Sequence, residues 1–304
     1  MFPFMKIRVL NTVDWEGRCL EEENLLAMEK FNQEFPHIPT LHFMNAAYFT
    51  KGLDNSLVEK RIKRVIKNND LLGLHIHCWR SLVEKSGLDF RLRPSFVYKD
   101  GIPTQELQKD DCGHDLSLSA YNHNEVIKLI KTSEDILKKY NLLNRPYFRA
   151  GGWMANSDTL KALKECHYTH DFSAVPPELL KAKRKNETLY NMIEPLWADI
   201  STLSRPYEIL PNLWELPNTA CLADYMPAQD FLNVFKAIAS HQKDVIFVMG
   251  YHQETAHRFI DRVRDGIKLI ESEGHEIIYD FDFLEPSQTT KSNQGNNNYT
   301  PLNA

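Results

Sequence analysis

The chain has 304 residues, of which 42% are hydrophobic and 25% are charged, and its formal net charge at pH 7 is -5. This is ordinary globular composition, and the acidic balance argues against a nucleic-acid partner, which would require a basic excess on one face. The five cysteines contain no CxxC pair, so neither a disulfide framework nor a thiolate zinc site is expected.

No apolar run in the sequence reaches the roughly 18 residues that a membrane-spanning helix requires. The first ten residues, MFPFMKIRVL, lack the apolar core of a secretory signal. We therefore expect a cytoplasmic protein without a membrane span. The oligomeric state is left open by the sequence.

Apolar periodicity predicts strands and helices that alternate along most of the chain. Such alternation indicates parallel βαβ units, and about seven strands favour a barrel, complete or incomplete, over a flat sheet. The predicted strands cover residues 5–13, 38–44, 71–77, 146–149, 168–172, 213–216, 244–251 and 276–283. The predicted helices cover residues 21–33, 56–68, 122–140, 157–166, 231–240 and 254–273.

Three stretches lack a regular pattern. Residues 80–118 contain Gly, Pro and Asp without periodicity, and so long a stretch within a domain is typical of a lid or binding insertion. Residues 176–206 are predicted to be irregular, and residues 286–304 are rich in Ser, Asn, Gln and Thr, which is typical of disorder. We therefore predict a single barrel domain over residues 1–285, with an insertion at about 80–118, followed by a disordered polar tail at 286–304.

Polar residues stand at the ends of several predicted strands. Asp14 and Glu16 follow the first strand, and His75 and His77 end the third. The carboxyl ends of parallel strands lie on one face of a barrel, where such enzymes place their chemistry. Residues that are distant in sequence but share this face form the candidate site. Its other members are Arg149, at the end of strand 146–149, and His252, after strand 244–251.

The spacing of His75 and His77 favours a metal site. Residues i and i+2 of a strand point to the same side, so both imidazoles can face one ion. Asp14 and Glu16 have the same spacing, and catalytic zinc usually takes three protein ligands and one water molecule. One carboxylate can bind the ion while the other acts as a base, and the spacing does not decide between them.

The order of these motifs resembles that of the NodB-homology polysaccharide-deacetylase superfamily over residues 5–283. The resemblance implies a divergent member with the distorted (β/α) barrel of seven strands found in that superfamily. Four segments carry it: TVDWEG at 12–17, GLHIH at 73–77, FRAGGW at 148–153 and VMGYH at 248–252.

By this resemblance, Asp14 is the general base, Arg149 holds it, and His252 is the acid that protonates the leaving amine. The implied cofactor is a divalent metal, most simply Zn2+. The sequence departs from the family in its first motif, because Trp15 occupies the place of a second, metal-binding acid. Glu16 would then replace that acid as the ligand.

The second motif also departs from the family, which separates its two histidines by three residues. His75 and His77 are separated by one residue. His114 precedes the predicted helix 122–140, as the second histidine of the family does, and is therefore an alternative ligand. Which two of the three histidines bind the metal stays open at this point.

The resemblance implies hydrolysis of an N-acyl group, acetyl or formyl, from an amino sugar. Because no export signal is found, the expected substrate is an intermediate of surface-polysaccharide (O-antigen-like) synthesis rather than a wall polymer. Trp79 and Trp153 are candidate substrate-binding residues, since an aromatic ring can stack on a sugar.

Other functions are compatible with the same residues. The departures in the first two motifs would also fit a non-catalytic sugar-binding relative that has lost its metal. A hydrolase of another C–N amide bond is a further alternative, because a fold does not determine its substrate. Amidohydrolase-type metal enzymes use a His-x-His pair on the first strand, whereas two predicted strands precede residues 71–77 here.

Overall fold

A computed structural model of the chain describes residues 6–97, 111–183, 187–241 and 245–284. The predicted tail at 286–304, and residues 98–110 of the predicted insertion, lie outside the described residues. The strands are β1 (Lys6–Asp14), β2 (Thr40–Asn45), β3 (Leu71–Ile76), β4 (Tyr147–Ala150), β5 (His170–Asp171), β6 (Tyr207–Leu210), β7 (Leu213–Glu215), β8 (Phe247–His252) and β9 (Glu276–Ile278). The α-helices are α1 (Glu22–Glu34), α2 (Asn55–Lys63), α3 (Arg80–Lys85), α4 (His123–Lys139), α5 (Ser157–Glu165), α6 (Pro177–Lys183), α7 (Glu187–Trp197), α8 (Ala228–His241) and α9 (Ala256–Ser272).

The strands form one curled sheet in the order β6-β7-β5-β4-β3-β2-β1-β8, with β9 beside the start of β1. Every neighbouring pair is parallel except β6 with β7. Residues 218–223 join the two sides of the curled sheet. The N–H of Ala220 donates to the carbonyl of Val248 on β8 at 2.9 Å, and the N–H of Asn218 donates to Ala174 just beyond β5 at 2.7 Å. This incomplete barrel of parallel strands confirms the predicted α/β fold class.

Local sequence accounts for the best-formed elements. Helix α4 begins at a capping box, in which the Asn122 side chain accepts from the Glu125 N–H and the Glu125 carboxylate accepts from the Asn122 N–H. Its buried side chains recur at helical spacing. Strand β8 is buried along its apolar run up to His252, as expected for a strand covered on both faces.

The structure differs from the sequence prediction in several regions. Residues 80–85, at the start of the predicted insertion, form α3, and residues 207–210 form β6. Residues 176–206, predicted to be irregular, contain α6 and α7, and α7 forms despite Pro195 in its last turn. Its side chains Leu189, Ile193 and Trp197 are buried at a spacing of four residues, and this packing outweighs the helix-breaking tendency of proline.

The last predicted strand, 276–283, is also shorter than expected, since β9 ends at Ile278. Strand β9 pairs with Lys6–Arg8, at the start of β1. A 3-10 turn at Asp282–Leu284 follows instead. Among helices within the described ranges, none is both long and apolar enough to cross a bilayer.

Candidate metal centre

The carboxyl ends of β1, β3, β4 and β8 lie side by side and carry the candidate residues. In the strand register Asp14 is opposite His252, and His75 is opposite Arg149. Parallel pairing brings these positions to one edge of the sheet, as the sequence predicted.

Three side chains at this edge form a set suited to a cation. The Nε2 atom of His77 lies 2.8 Å from Glu16 Oε2, and Nε2 of His75 lies 3.4 Å from Glu16 Oε1. The ligand atoms of the three residues all lie within 4.8 Å of one another. Two imidazoles and one carboxylate are the donor set expected of a catalytic zinc site with one open position.

The two histidine rings are oriented by backbone carbonyls. His75 Nδ1 bonds to the carbonyl of Arg149 at 2.8 Å, and His77 Nδ1 bonds to the carbonyl of His114. A carbonyl can only accept, so each Nδ1 carries the proton and each Nε2 presents its lone pair. Both Nε2 atoms are buried and have no hydrogen-bond partner among the described residues. The Nε2 lone pairs of His75 and His77 therefore converge on one place, beside the Glu16 carboxylate.

Both the main chain and the carboxylate of Glu16 are held by neighbouring groups. Its carbonyl accepts from Trp79 Nε1 at 2.7 Å and from Asn45 Nδ2 at 3.2 Å. Burial by itself raises the pKa of the Glu16 carboxyl, but the electrostatic effect of the neighbouring imidazoles of His77, His75 and His252 outweighs it. The pKa of Glu16 therefore lies well below its usual value, and the group is a carboxylate at neutral pH.

Asp14 is paired with the buried guanidinium of Arg149. The Nη1 atom of Arg149 donates to Asp14 Oδ1 at 2.6 Å and to Thr12 Oγ1 at 3.1 Å, while Nε donates to the carbonyl of Phe172 at 3.1 Å. A buried cation needs such a partner, and breaking the pair would leave an uncompensated charge. Asp14 is therefore fixed in place beside Glu16.

His252 faces the same cavity and is held by Asp224, a residue that sequence reasoning missed. His252 Nδ1 lies 2.9 Å from Asp224 Oδ2, and Thr255 Oγ1 donates to the other oxygen of that carboxylate at 2.7 Å. Burial lowers the pKa of His252, but Asp224 and then Glu16 outweigh it and raise the pKa to about 10. His252 is thus suited to carry a proton.

Asp224 gave no signal in the sequence because it does not end a predicted strand. It follows residues 218–223, which reach β8 through backbone bonds and one isolated bridge, Leu222 with Gly250, rather than as a regular strand. A segment with a single bridging residue is too short to show the alternation of side chains by which a strand is predicted.

A cavity of about 200 Å3 opens in front of these groups. Asp14, Glu16, His75, His77 and His252 all line it. Apolar surface is contributed to it by Phe96, Trp153, Leu189 and Tyr225.

Two further candidate residues lie elsewhere. The His114 imidazole is outside the set formed by Glu16, His75 and His77, and this residue contributes its carbonyl to His77 instead. Trp79 lies behind the Glu16 loop, with Lys51 Nζ 3.3 Å from the centre of its ring, and does not stand among the described residues of the cavity wall. Of the two tryptophans predicted to bind substrate, only Trp153 lines the cavity.

No protein-family model matches this sequence, and no curated protein is similar to it in sequence. The fold, however, is similar to solved structures. A Mycobacterium smegmatis protein that carries the provisional description of polysaccharide deacetylase matches with a TM-score of 0.52 at 11% identity, over 97% of each chain. The chitin deacetylase of Colletotrichum lindemuthianum matches with a TM-score of 0.47 at 9% identity, over 91% of this chain and 88% of the other. The first likeness supports the deacetylase-type barrel inferred from the motifs; at this identity it establishes the fold alone.

Proposed function

We propose that this protein is a metal-dependent hydrolase that removes an N-acyl group, acetyl or formyl, from an amino sugar. The observation that carries the proposal is the pair of buried histidine lone pairs that converge with the Glu16 carboxylate. These three residues would hold a divalent ion, most simply Zn2+. When bound, such an ion supplies Lewis-acid chemistry that polarises an acyl carbonyl and acidifies water.

The remaining residues divide the proton transfers between them. The Asp14 carboxylate, held by Arg149, is the base that accepts a proton from the attacking water. The His252 imidazolium, held by Asp224, is the acid that donates a proton to the departing nitrogen. A leaving amine must be protonated before the C–N bond breaks, so a histidine with a raised pKa suits this step.

The shape of the cavity and the fold support a saccharide substrate. Trp153 and Tyr225, with ring centroids 5.6 Å apart, both line the cavity and would supply aromatic surface to a sugar ring bound there. The deacetylase description of the structure with the same fold supports the same substrate class. A cytoplasmic intermediate of surface-polysaccharide synthesis remains the proposed source of that saccharide.

The experiment that tests this proposal combines metal analysis with an activity assay. The protein is dialysed against a chelator, reconstituted with Zn2+ and assayed for acetate and formate released from N-acetyl and N-formyl amino sugars. We expect one ion per chain and release of one acid. We also expect loss of the ion in His75→Ala, His77→Ala and Glu16→Gln, and its retention in the matched control His114→Ala.

Two outcomes would overturn the proposal. Absence of bound metal after reconstitution would favour the non-catalytic sugar-binding alternative. Bound metal without acid release from any N-acyl amino sugar would favour a hydrolase of a different C–N bond.

A further inference from the structure

Trp15 lies between the two acids of the site, and its side chain points away from them. Successive side chains of an extended chain face opposite sides, so Asp14 and Glu16 face the cavity while the indole does not. The Trp15 side chain is fully buried, with its ring near those of His42 and Tyr48. The backbone N–H of Trp15 donates to the carbonyl of Phe43 at 3.1 Å and so continues the pairing of β1 with β2 beyond the end of β1.

A hydrogen-bonded chain runs from this indole to a buried carboxylate. Trp15 Nε1 donates to His42 Nδ1 at 3.1 Å, and His42 Nε2 lies 3.1 Å from Asp70 Oδ2. An indole N–H can only donate, so His42 Nδ1 must accept, and the proton of the neutral ring is on Nε2 and is donated to Asp70. The direction of both bonds, and the tautomer of His42, are therefore fixed.

The far end of the chain is anchored to the backbone. Asp70 Oδ1 accepts from the N–H of Thr40 at 2.8 Å, and Oδ2 accepts from the N–H of Lys67 at 2.7 Å. Trp15, His42 and Asp70 have exposed fractions of 0%, 1% and 5%, so water does not compete for these bonds. The indole is consequently tied to the start of β2 and to the segment that precedes β3.

The chain is equally constrained on the other side of Glu16. Gly17 has a φ of +81°, and a Cβ at this position would lie 2.8 Å from Asn45 Cγ, so only glycine permits the turn. Beyond it, the N–H groups of Arg18 and Cys19 both donate to the Glu254 carboxylate. Residues 15–19 are thus fixed on both sides of the one acid that faces the two histidines.

We propose that Trp15, His42 and Asp70 are positioning residues that hold Glu16 as the metal-binding carboxylate; this inference rests on the proposed function of the site. In the resemblance described above, an acid would stand at position 15. Here Trp15 anchors the backbone at that position, and the carboxylate proposed to bind the metal is Glu16, one residue further along the chain. Because the anchor fixes the backbone, Glu16 would lose less conformational freedom when it binds an ion.

Two substitutions of His42 separate this role from simple packing. In His42→Asn, the amide oxygen stands near the place of Nδ1 and still accepts from Trp15, but the contact with Asp70 is lost. In His42→Gln, the amide reaches the place of Nε2 and still donates to Asp70, but the acceptor beside Trp15 is lost. Each variant is titrated with Co2+ as the metal-free protein. Visible absorption reports the affinity and geometry of the site, and urea denaturation reports stability.

We expect His42→Gln to weaken Co2+ binding by about 10- to 100-fold and to change the absorption bands, as loss of a residue that orients a ligand commonly does. We expect His42→Asn, which keeps the acceptor beside Trp15 but loses the contact with Asp70, to weaken Co2+ binding less than His42→Gln does and to keep the absorption bands of the wild type. Trp15→Phe, which keeps an aromatic ring but lacks the N–H, should resemble His42→Gln. This variant keeps the test decisive if one of the His42 variants fails to fold.

Three results would count against the inference. Wild-type Co2+ binding in both His42→Gln and Trp15→Phe would exclude a positioning role. Equal weakening in His42→Asn and His42→Gln, in step with their loss of stability, would show that the ring acts only through packing. If Glu16→Gln also bound Co2+ as the wild type does, Glu16 would not be a ligand, and the proposed function would fail together with the inference.

Discussion

At the residue scale, the candidate site consists of acids and histidines that are each oriented by a second group. Arg149 holds Asp14, Asp224 holds His252, and backbone carbonyls hold the two histidines of the metal set. Such contacts fix ring orientation and protonation, which the reactive residue alone would leave variable. Roles can therefore be separated by replacing either the reactive residue or the residue that holds it.

Replacing the base should abolish turnover without loss of metal. In Asp14→Asn the amide still accepts from Arg149 but cannot take a proton from water, so we expect kcat to fall by about 10²- to 10⁴-fold. Metal content, measured by elemental analysis, should equal that of the wild type. Turnover near the wild-type rate in this variant would exclude Asp14 as the base.

Replacing Asp224 should change the pH dependence of the rate. The acid must be protonated to act, and Asp224 is the strongest of the groups that raise the pKa of His252 against the effect of burial. In Asp224→Asn that pKa falls, so activity should be lost at a lower pH on the alkaline side of the profile. We expect kcat to fall by about 10- to 100-fold, with metal content unchanged.

The matched control for this prediction is Asp261→Asn. Asp261 is two-thirds exposed and pairs with Arg264, so its loss should leave both kcat and the pH profile unchanged. An Asp224→Asn profile that superimposes on the control would contradict the assignment of His252 as the acid.

At the scale of elements, the site depends on how closely the turn after β4 approaches β3. A Cβ on Gly151 would lie 2.7 Å from both His77 Nδ1 and the carbonyl of Ile76. Glycine at this position permits a close approach of the backbone to the histidine. The distance between two strand ends thus determines whether His77 can face Glu16.

We predict that Gly151→Ala weakens metal binding, because His77 or the turn must move to admit the methyl group. The expected loss is about 10-fold in the Zn2+ dissociation constant, measured by competition with a chromogenic chelator. Gly52→Ala is the control, since no atom lies within 4 Å of the added Cβ. Its φ of +73° makes alanine more strained there than at Gly151, whose φ is not positive, so weaker binding found only in Gly151→Ala reports the close contact. Equal affinities in the two variants would show that the close approach does not matter.

At the scale of the whole molecule, the barrel interior holds a second pair of acids that the proposed chemistry does not use. Asp171 on β5 and Glu215 on β7 are opposite each other in the strand register, and both are fully buried. Burial and mutual repulsion raise the pKa of Glu215 well above its usual value, and burial raises that of Asp171 to about 6. Because two buried carboxylates repel each other when both are charged, this arrangement is consistent with one proton retained by the pair.

This pair should make the fold less stable as pH rises. The folded state binds more protons than the unfolded chain above about pH 4, so stability falls as pH increases through the raised pKa values. Glu215→Gln mimics the protonated acid and cannot ionise. Its free energy of unfolding, measured in urea between pH 5 and 9, should therefore decline less than that of the wild type, by about 1.4 kcal/mol for each unit of raised pKa. Parallel declines in the two proteins would contradict the shared proton.

Most of the architecture could be predicted from local patterns. Burial dictates the apolar period, so β1, β2, β3 and β8 were recognised within three residues of their observed ends. The helix α7 and the short β6 were missed because Pro195 and a half-exposed strand give weak local signals that tertiary packing overrides. The tail at 286–304 stays a prediction.

Local patterns were enough to predict that acids and histidines meet at the carboxyl ends of parallel strands, because side-chain alternation and strand direction are local properties. Which of these groups face each other depends on contacts between distant segments. In the folded chain Glu16, rather than Asp14, lies against both His75 and His77, His114 contributes a carbonyl, and Asp224 lies beside His252. These choices depend on strand register and on the paths of loops between distant segments, and no short stretch of sequence contains that information.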